Sequence, residues 1–285
     1  MQKFLKIKFV ELQKLISATK YTSPFSPLIK FWALNLLVYS LIYPLLKIIA
    51  GKKKSVKICE YFIKPPASAK TLSFPSLIKS RIILKTNEDW AVFIEMHLKD
   101  AYHKDAIKKG MTVVDIGAHI GVYSILAAEK VGDAGKVIAV EPELNNYKRL
   151  KKNIRLNGFK NIIPLKIALS ERDGTGKLYI NPCSTDHSLL TENNENFSFT
   201  QVQIRTLDKL LEELNIKKID IIKIDTEGAE MPILRGAEKT LKNNPKAKMI
   251  VASYHYPREI EEVQSFLEKR GFKTEILYSD IIITI

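Results

Sequence analysis

The chain is poor in cysteine. Cys59 and Cys183 are its two, far apart and without a C-x-x-C pair. That excludes a disulfide framework and a cysteine-based zinc site, fits a reducing compartment, and leaves no resident metal expected. The glycine turn after Ile116 lacks the central glycine of the dinucleotide pattern G-x-G-x-x-G, and no Gly-Lys-Ser/Thr follows it as in a P-loop. Both diphosphate cradles are therefore excluded there. Long uncharged runs are also missing. Residues 31–46 are uncharged for sixteen residues, then Lys47 interrupts before Ile48-Ile49-Ala50. A spanning helix needs about 20 predominantly apolar residues. Thirty residues precede this stretch and no small-residue cleavage site follows it, so a signal peptide is not expected.

Acids are scarce, 31 against 45 bases, for a net charge of +14. The imbalance is local. Residues 1–60 hold eleven lysines and two acids, whereas the other 225 residues hold 34 bases and 29 acids. A basic arm beside apolar sequence points first to an anionic membrane surface, with nucleic acid second and a solvated lysine-rich surface as the bland alternative. Residues 31–50 have three readings: they span a membrane with Lys47 snorkelling, lie in its interface, or pack as an apolar helix. Residues 1–20 have the spacing of an amphipathic helix. The expected location is the cytoplasm, with membrane association through residues 1–55.

Apolar residues make up 46% of the 285, enough for one large α/β domain plus an extension. The informative segment runs from Val113 to Ser124. A strand-like run ends in Asp115-Ile116, a turn Gly117-Ala118-His119-Ile120-Gly121 follows, and an apolar helix begins near Val122. Strand, glycine turn and helix N-terminus place backbone N–H groups and a carboxylate around one small ligand. A second strand, Val137 to Glu141, ends in an acid placed to accept from the two hydroxyls of a ribose. A nucleoside with an amino-acid tail in place of a diphosphate suits such a loop, and S-adenosylmethionine is such a molecule. Gly117 and Gly121 let the backbone approach its methionine part. Asp115 orients the loop or reaches the amino group.

Four blocks stand in order: Asp115 to Ser124, Val140-Glu141-Pro142, Asn153 to Asn157, and Ile222 to Glu230. Together they resemble the FkbM family of S-adenosylmethionine-dependent methyltransferases, over roughly residues 100 to 285. His119 is a departure, since that family more often carries Asn there. The resemblance implies O-methylation, commonly of sugars or natural products. The expected acceptor is a small-molecule, glycan or lipid-linked hydroxyl, with an RNA methyltransferase or a membrane-tethered binding protein without catalysis as alternatives. Ahead of the sheet, Ser80 to Lys85 and Ala91 to Ile94 read as short strands around the turn-like Asn87-Glu88-Asp89. From Gly110 onward, strands (Thr112 to Ile116, Val137 to Glu141, Ile162 to Leu169, Ile219 to Asp225, Met249 to Ser253) alternate with helices (about Gly121 to Lys130, about Glu143 to Asn157 with Leu144, Tyr147, Leu150 and Ile154 on one face, Ala229 to Leu241, Arg258 to Arg270), which predicts a doubly wound, mostly parallel sheet. Two closing strands without a helix between them predict an antiparallel edge, the seven-strand pattern of class I methyltransferases. The expected divisions are a basic helical extension (1–55), short strands and turns (56–105), and the methyltransferase domain (106–285).

An alcohol acceptor needs a base as it loses its proton. Candidates follow the later strands: Asp225 and Glu227 after Ile224, Glu230 one turn on, His255 after Ser253, and Asp186 with His187 in the long insert at 181–198. Lys223 alternates with Asp225 and shares its face, where it pairs with a buried acid or polarises the acceptor. Asp225 also stands as a cofactor ligand. For the cofactor, Asp115, Gly117, Ala118, His119, Gly121, Tyr123, Ser124 and Glu141 line the loop and ribose side. Adenine is expected against Pro142, with edge contacts from the Ala168 and Leu169 backbone.

Overall fold

The computed structural model describes residues 72–73, 80–86, 88–89, 92–93, 96, 102–180, 189, 198–277 and 280–285. The expectations for residues 1–20 and 31–50, and for Asp186 and His187, lie outside the described residues. Among the described residues no helix is long and apolar enough to cross a membrane. The chain divides into two units, residues 1–98 and 99–285.

In the first unit, β1 (Leu72–Ser73) and β2 (Arg81–Ile82) pair antiparallel. A strand was expected over Ala91 to Ile94, but residues 88–89 and 92–93 are helical. A capping box starts that turn. Asp89 N–H donates to Thr86 Oγ1 at 3.3 Å, and the Asp89 carboxylate accepts from Thr86 N–H at 2.9 Å.

The second unit is built on β3 (Thr112–Ile116), β4 (Lys136–Val140), β5 (Ile162–Leu165), β9 (Ile221–Ile224), β10 (Lys248–Ala252), β11 (Thr274–Leu277) and β12 (Ile281–Thr284). Their order across the sheet is β11-β12-β10-β9-β3-β4-β5. β5, β4, β3, β9 and β10 run parallel, and β12 lies antiparallel to both β10 and β11. This is the class I methyltransferase arrangement, with the reversed strand next to the edge. The reason is burial on both faces: all four residues of β9, Ile-Ile-Lys-Ile, are buried, as are the last four of β3 and β4.

The chain leaves β3 outward to β4 and β5, then returns on the other side of β3 to form β9. The carboxyl ends of β3 and β9 are therefore a topological switch point, where ligands of open α/β sheets bind.

Helix α1 (Val122–Val131) follows β3 and is apolar nearly all round, as a buried helix must be. Helix α2 (Leu144–Asn157) follows β4. Glu143 caps it by accepting from Asn146 N–H at 2.7 Å, and Gly158 closes it at φ 68°. Leu150 and Ile154 face inward as expected, but Leu144 is exposed, because at the first helical position it points past the core. Asn153 Nδ2 donates to the Ile120 carbonyl at 2.9 Å, which ties α2 to the glycine turn.

Two expected elements came out divided, and one element was unforeseen. Residues 162–169 were expected as one strand. They split into β5 and β6 (Ala168–Leu169), because β6 joins β7 (Gly174–Tyr179) and β8 (Phe199–Arg205) in a separate sheet of order β6-β8-β7. The expected helix from Ala229 to Leu241 is broken at Gly236 into α4 (Glu230–Arg235) and α5 (Glu238–Asn243). A Cβ on Gly236 would meet the Ser170 carbonyl oxygen at 2.2 Å, so the chain bends where the backbones touch. Helix α3 (Leu207–Glu213), capped by Thr206, was not expected. Helix α6 (Glu259–Glu268) precedes the closing strands.

Candidate active site

At the end of β3 the chain enters the glycine turn. Gly117 and Ala118 N–H both donate to the Val140 carbonyl, at 3.0 and 2.9 Å, so the turn folds onto the tip of β4. Gly117, His119 and Gly121 all have positive φ. The two glycines have a reason beyond any ligand. A Cβ on Gly117 would lie 1.8 Å from the Asp225 carbonyl oxygen, and one on Gly121 would lie 2.5 Å from Leu150 Cδ1. The turn is thus clamped between the continuation of β9 and helix α2.

Beneath the turn is a buried charged centre. Asp115 Oδ2 accepts from Ser124 Oγ at 2.5 Å, and Asp115 Oδ1 is 3.2 Å from Lys223 Nζ. Lys223 Nζ also donates to the Gly117 carbonyl at 2.9 Å and lies 3.7 Å from Asp225 Oδ2. Both partners of the Asp115–Lys223 pair are buried. Burial alone would pull the Lys223 pKa down, but Asp115 first and Asp225 second outweigh it and hold the ammonium above its usual range. Of the two roles expected for Lys223, its position is that of the ion-pair partner that props the turn. Tyr123 is buried, with its ring edge-on to Tyr102 at 6.2 Å.

Glu141 stands at the tip of β4. Its Oε2 accepts from His119 N–H at 2.8 Å and its Oε1 from Glu143 N–H at 2.9 Å. Pro142 beside it is half-buried. Burial pushes the Glu141 carboxyl up to about 7, against the two backbone donors. A folded pKa above the unfolded one gives stability that is complete below about pH 4.5 and lost as pH rises through about 7. Glu141 alone should therefore make the protein without ligand about 3 kcal/mol less stable at pH 8 than at pH 4.5. Urea unfolding across this range, with Glu141→Gln as the comparison, measures it. The slope with pH should flatten in the variant.

Ala168 and Leu169 pair with Ile204 and Arg205 in the second sheet, and it is the Leu165 carbonyl that accepts from Glu141 N–H.

Beyond β9 and β10 the chain gathers four carboxylates around His255. Its Nε2 faces Glu227 Oε2 at 3.6 Å and Asp225 Oδ1 at 3.9 Å. Its Nδ1 faces Glu259 Oε2 at 3.4 Å and Glu230 Oε2 at 3.5 Å. Burial would lower the His255 pKa, but Glu230 and Glu259 override it and push it up to about 11. His255 was expected among the candidate bases. This ring of acids favours the protonated imidazole. Asp225 is held from the other side, its Oδ2 accepting from Tyr102 O–H at 2.7 Å. Tyr102, Tyr254 and Glu259 were not foreseen. Tyr254 O–H lies 3.5 Å from Asp225 Oδ1. Glu259 carried a signal, its four-residue spacing from His255.

The family model described as methyltransferase FkbM domain matches residues 115–274. The chain is 26% identical over 167 residues to the hexuronic acid methyltransferase AglP of Haloferax volcanii, covering 57% of this chain and 63% of that protein. The match thus spans just under two thirds of that relative's length. It is 24% identical over 212 residues to methyltransferase sdnD of Sordaria araneosa, covering 64% of this chain and 81% of that protein. The crystal structure of an FkbM methyltransferase from Methylobacillus flagellatus aligns with a TM-score of 0.46 at 15% identity, over 70% of this chain and 54% of that one.

Proposed function

This chain belongs to the FkbM methyltransferase family, and on that premise we propose that it methylates a hydroxyl oxygen of a sugar, a glycolipid or a related natural product. Its cofactor is S-adenosylmethionine, which when bound supplies a methyl group on a positively charged sulfur. The observation that carries the reading is Glu141, a buried acid at the tip of β4 beside the glycine turn. Each of its oxygens takes one backbone N–H and retains a further lone pair. Two ribose hydroxyls donating there supply the donors that its ionised form needs against burial. The donor set fits the cofactor.

The other residues then have stated tasks. Pro142 lies against the adenine. The turn from Gly117 to Gly121, with Ala118 and His119, receives the amino-acid end. Asp115, Ser124 and Lys223 fix the turn from below, and Tyr123 packs behind it. Asp225 and Glu227 stand where the acceptor proton is taken. Holding the acceptor oxygen in line with the methyl carbon, away from water, supplies much of the acceleration. The sugar assignment is supported by the hexuronic acid methyltransferase among the relatives. We assign the catalytic domain to residues 106–285. Residues 1–55 are assigned to contact with an anionic membrane surface, on the strength of their lysine surplus.

The test is methyl transfer from cofactor carrying a deuterated methyl group. Acceptors are hexuronic acids, neutral hexoses, glycolipids and RNA. Label on a sugar oxygen, read by mass spectrometry, is the expected result. Label in RNA alone overturns the assignment.

A further inference from the structure

Asp225, Glu227 and His255 bring one ligand atom each to a common point, and we infer that they form a site for a divalent cation. The inference rests on the reading above only in its last step, the activation of the acceptor.

The separations carry the argument. His255 Nε2 is 3.6 Å from Glu227 Oε2 and 3.9 Å from Asp225 Oδ1. Hydrogen bonds between nitrogen and oxygen lie at about 2.7–3.2 Å, so these gaps are too long. They suit ligands that share a cation. Bonds of about 2.1 Å place ligand atoms from about 3.0 Å apart, when neighbouring, to about 4.2 Å apart, when opposite, and both separations fall inside that span.

A second observation is the burial of an unsatisfied ring. The His255 side chain is 7% exposed, yet its Nε2, which faces Glu227 and Asp225, has no hydrogen-bond partner. Leaving such groups unsatisfied inside a protein is costly. Its Nδ1 looks onto Glu230 and Glu259, both fully buried. A ligating histidine has a carboxylate at its other ring nitrogen, which sets the tautomer and the ring plane. Charge points the same way. Four carboxylates converge on His255, and the Lys223 ammonium that faces Asp225 is shared with Asp115.

The same ring offers a second triple, Glu230, His255 and Glu259. That triple is the supporting layer. One oxygen of Glu230 already accepts from Thr226 N–H and Oγ1, and Glu259 Oε2 accepts from His255 N–H. Asp225 and Glu227 are partly exposed, so a cation held by them keeps open positions towards solvent and acceptor. Two carboxylates and one imidazole suit Mn²⁺ or another first-row ion. The cation displaces the Nε2 proton of His255.

An acceptor hydroxyl on an open position loses its proton more readily. Its O–H bond breaks and the proton passes by way of the partly exposed carboxylates to solvent. The oxygen pair forms the bond to the methyl carbon while the carbon–sulfur bond breaks and leaves its pair on sulfur. The cation does not change oxidation state.

The test is a Mn²⁺ titration of the full chain, stripped with chelator and followed by electron paramagnetic resonance of free Mn²⁺. S-adenosylmethionine binding is measured on the same samples by calorimetry, and folding by circular dichroism. One Mn²⁺ per chain is expected, bound at least tenfold more weakly by Glu227→Gln and by Asp225→Asn. Glu227→Gln replaces a partly exposed side chain and is the variant expected to stay folded. Cofactor binding without Mn²⁺ binding overturns the metal site and spares the methyltransferase reading. Mn²⁺ binding that Glu227→Gln and Asp225→Asn leave unchanged overturns this choice of ligands. Mn²⁺ binding without cofactor binding supports the site and overturns the enzymatic reading.

Discussion

Lys223→Met should destabilise the protein by about 3–5 kcal/mol, measured as a fall in the urea midpoint at unchanged slope. The ammonium is buried in the central strand β9 and touches two acids and the Gly117 carbonyl. Methionine fills a similar volume, so packing loss is small. What is lost is the charge that compensates Asp115, whose carboxylate is fully buried. Breaking one side of a buried pair costs far more than removing both sides. Asp115→Asn with Lys223→Met should therefore recover much of the loss. A double-mutant cycle gives the coupling directly. The same experiment separates the two roles open to Lys223. If it acted on the acceptor, Lys223→Met would keep its stability and lose turnover alone.

How far the sequence carried is clearest at the sheet. Residues 112–116, 137–141 and 219–225 were legible as strands because burial on both faces demands apolar runs, and their ends shifted by only one or two residues. The break after Leu165 was not legible, because it depends on Ala168 pairing with Ile204, a choice made by distant residues. The break at Gly236 had a local sign, a glycine within a helical pattern. Its cause, contact with the Ser170 carbonyl, was invisible. Helix α3 was missed although Thr206 caps it and Leu207, Leu210 and Leu211 have helical spacing. Seven residues are too few for periodicity to stand out.

At the site, the residues next to glycine and strand-end signals were readable: Asp115, Gly117, Glu141 and Asp225. Tyr102 was not, because 123 residues separate it from the carboxylate it donates to. The charge state of His255 was also hidden. Two of its four acids, Asp225 and Glu227, leave β9, Glu230 opens α4, and Glu259 opens α6. Only the fold makes them neighbours. The ligands of the proposed cation were hidden for the same reason, since they come from two strand ends.

Gly117→Ala should be among the most damaging single changes in the domain, and Gly158→Ala is its control. Both glycines have positive φ, +76° and +68°. Each alanine pays the left-handed penalty, about 1–2 kcal/mol. At Gly158 nothing lies within 4 Å of the added Cβ, so that penalty is the whole cost. At Gly117 the Cβ would sit 1.8 Å from the Asp225 carbonyl oxygen, and the obstacle is backbone. No rotamer relieves it. The turn or the end of β9 must move, and with it the hydrogen bond from Lys223 to the Gly117 carbonyl and the position of Asp225. The total should exceed about 4 kcal/mol, in the range kept for backbone strain and broken buried networks. For a domain of this size that lowers Tm by about 8–16 °C or more, against about 2–8 °C for Gly158→Ala. Calorimetric melting of the two variants tests it. Equal shifts would mean that the turn does not rest on Asp225. Loss of cofactor binding should accompany the larger shift and be absent from the smaller, because the turn that receives the amino-acid end is the part displaced.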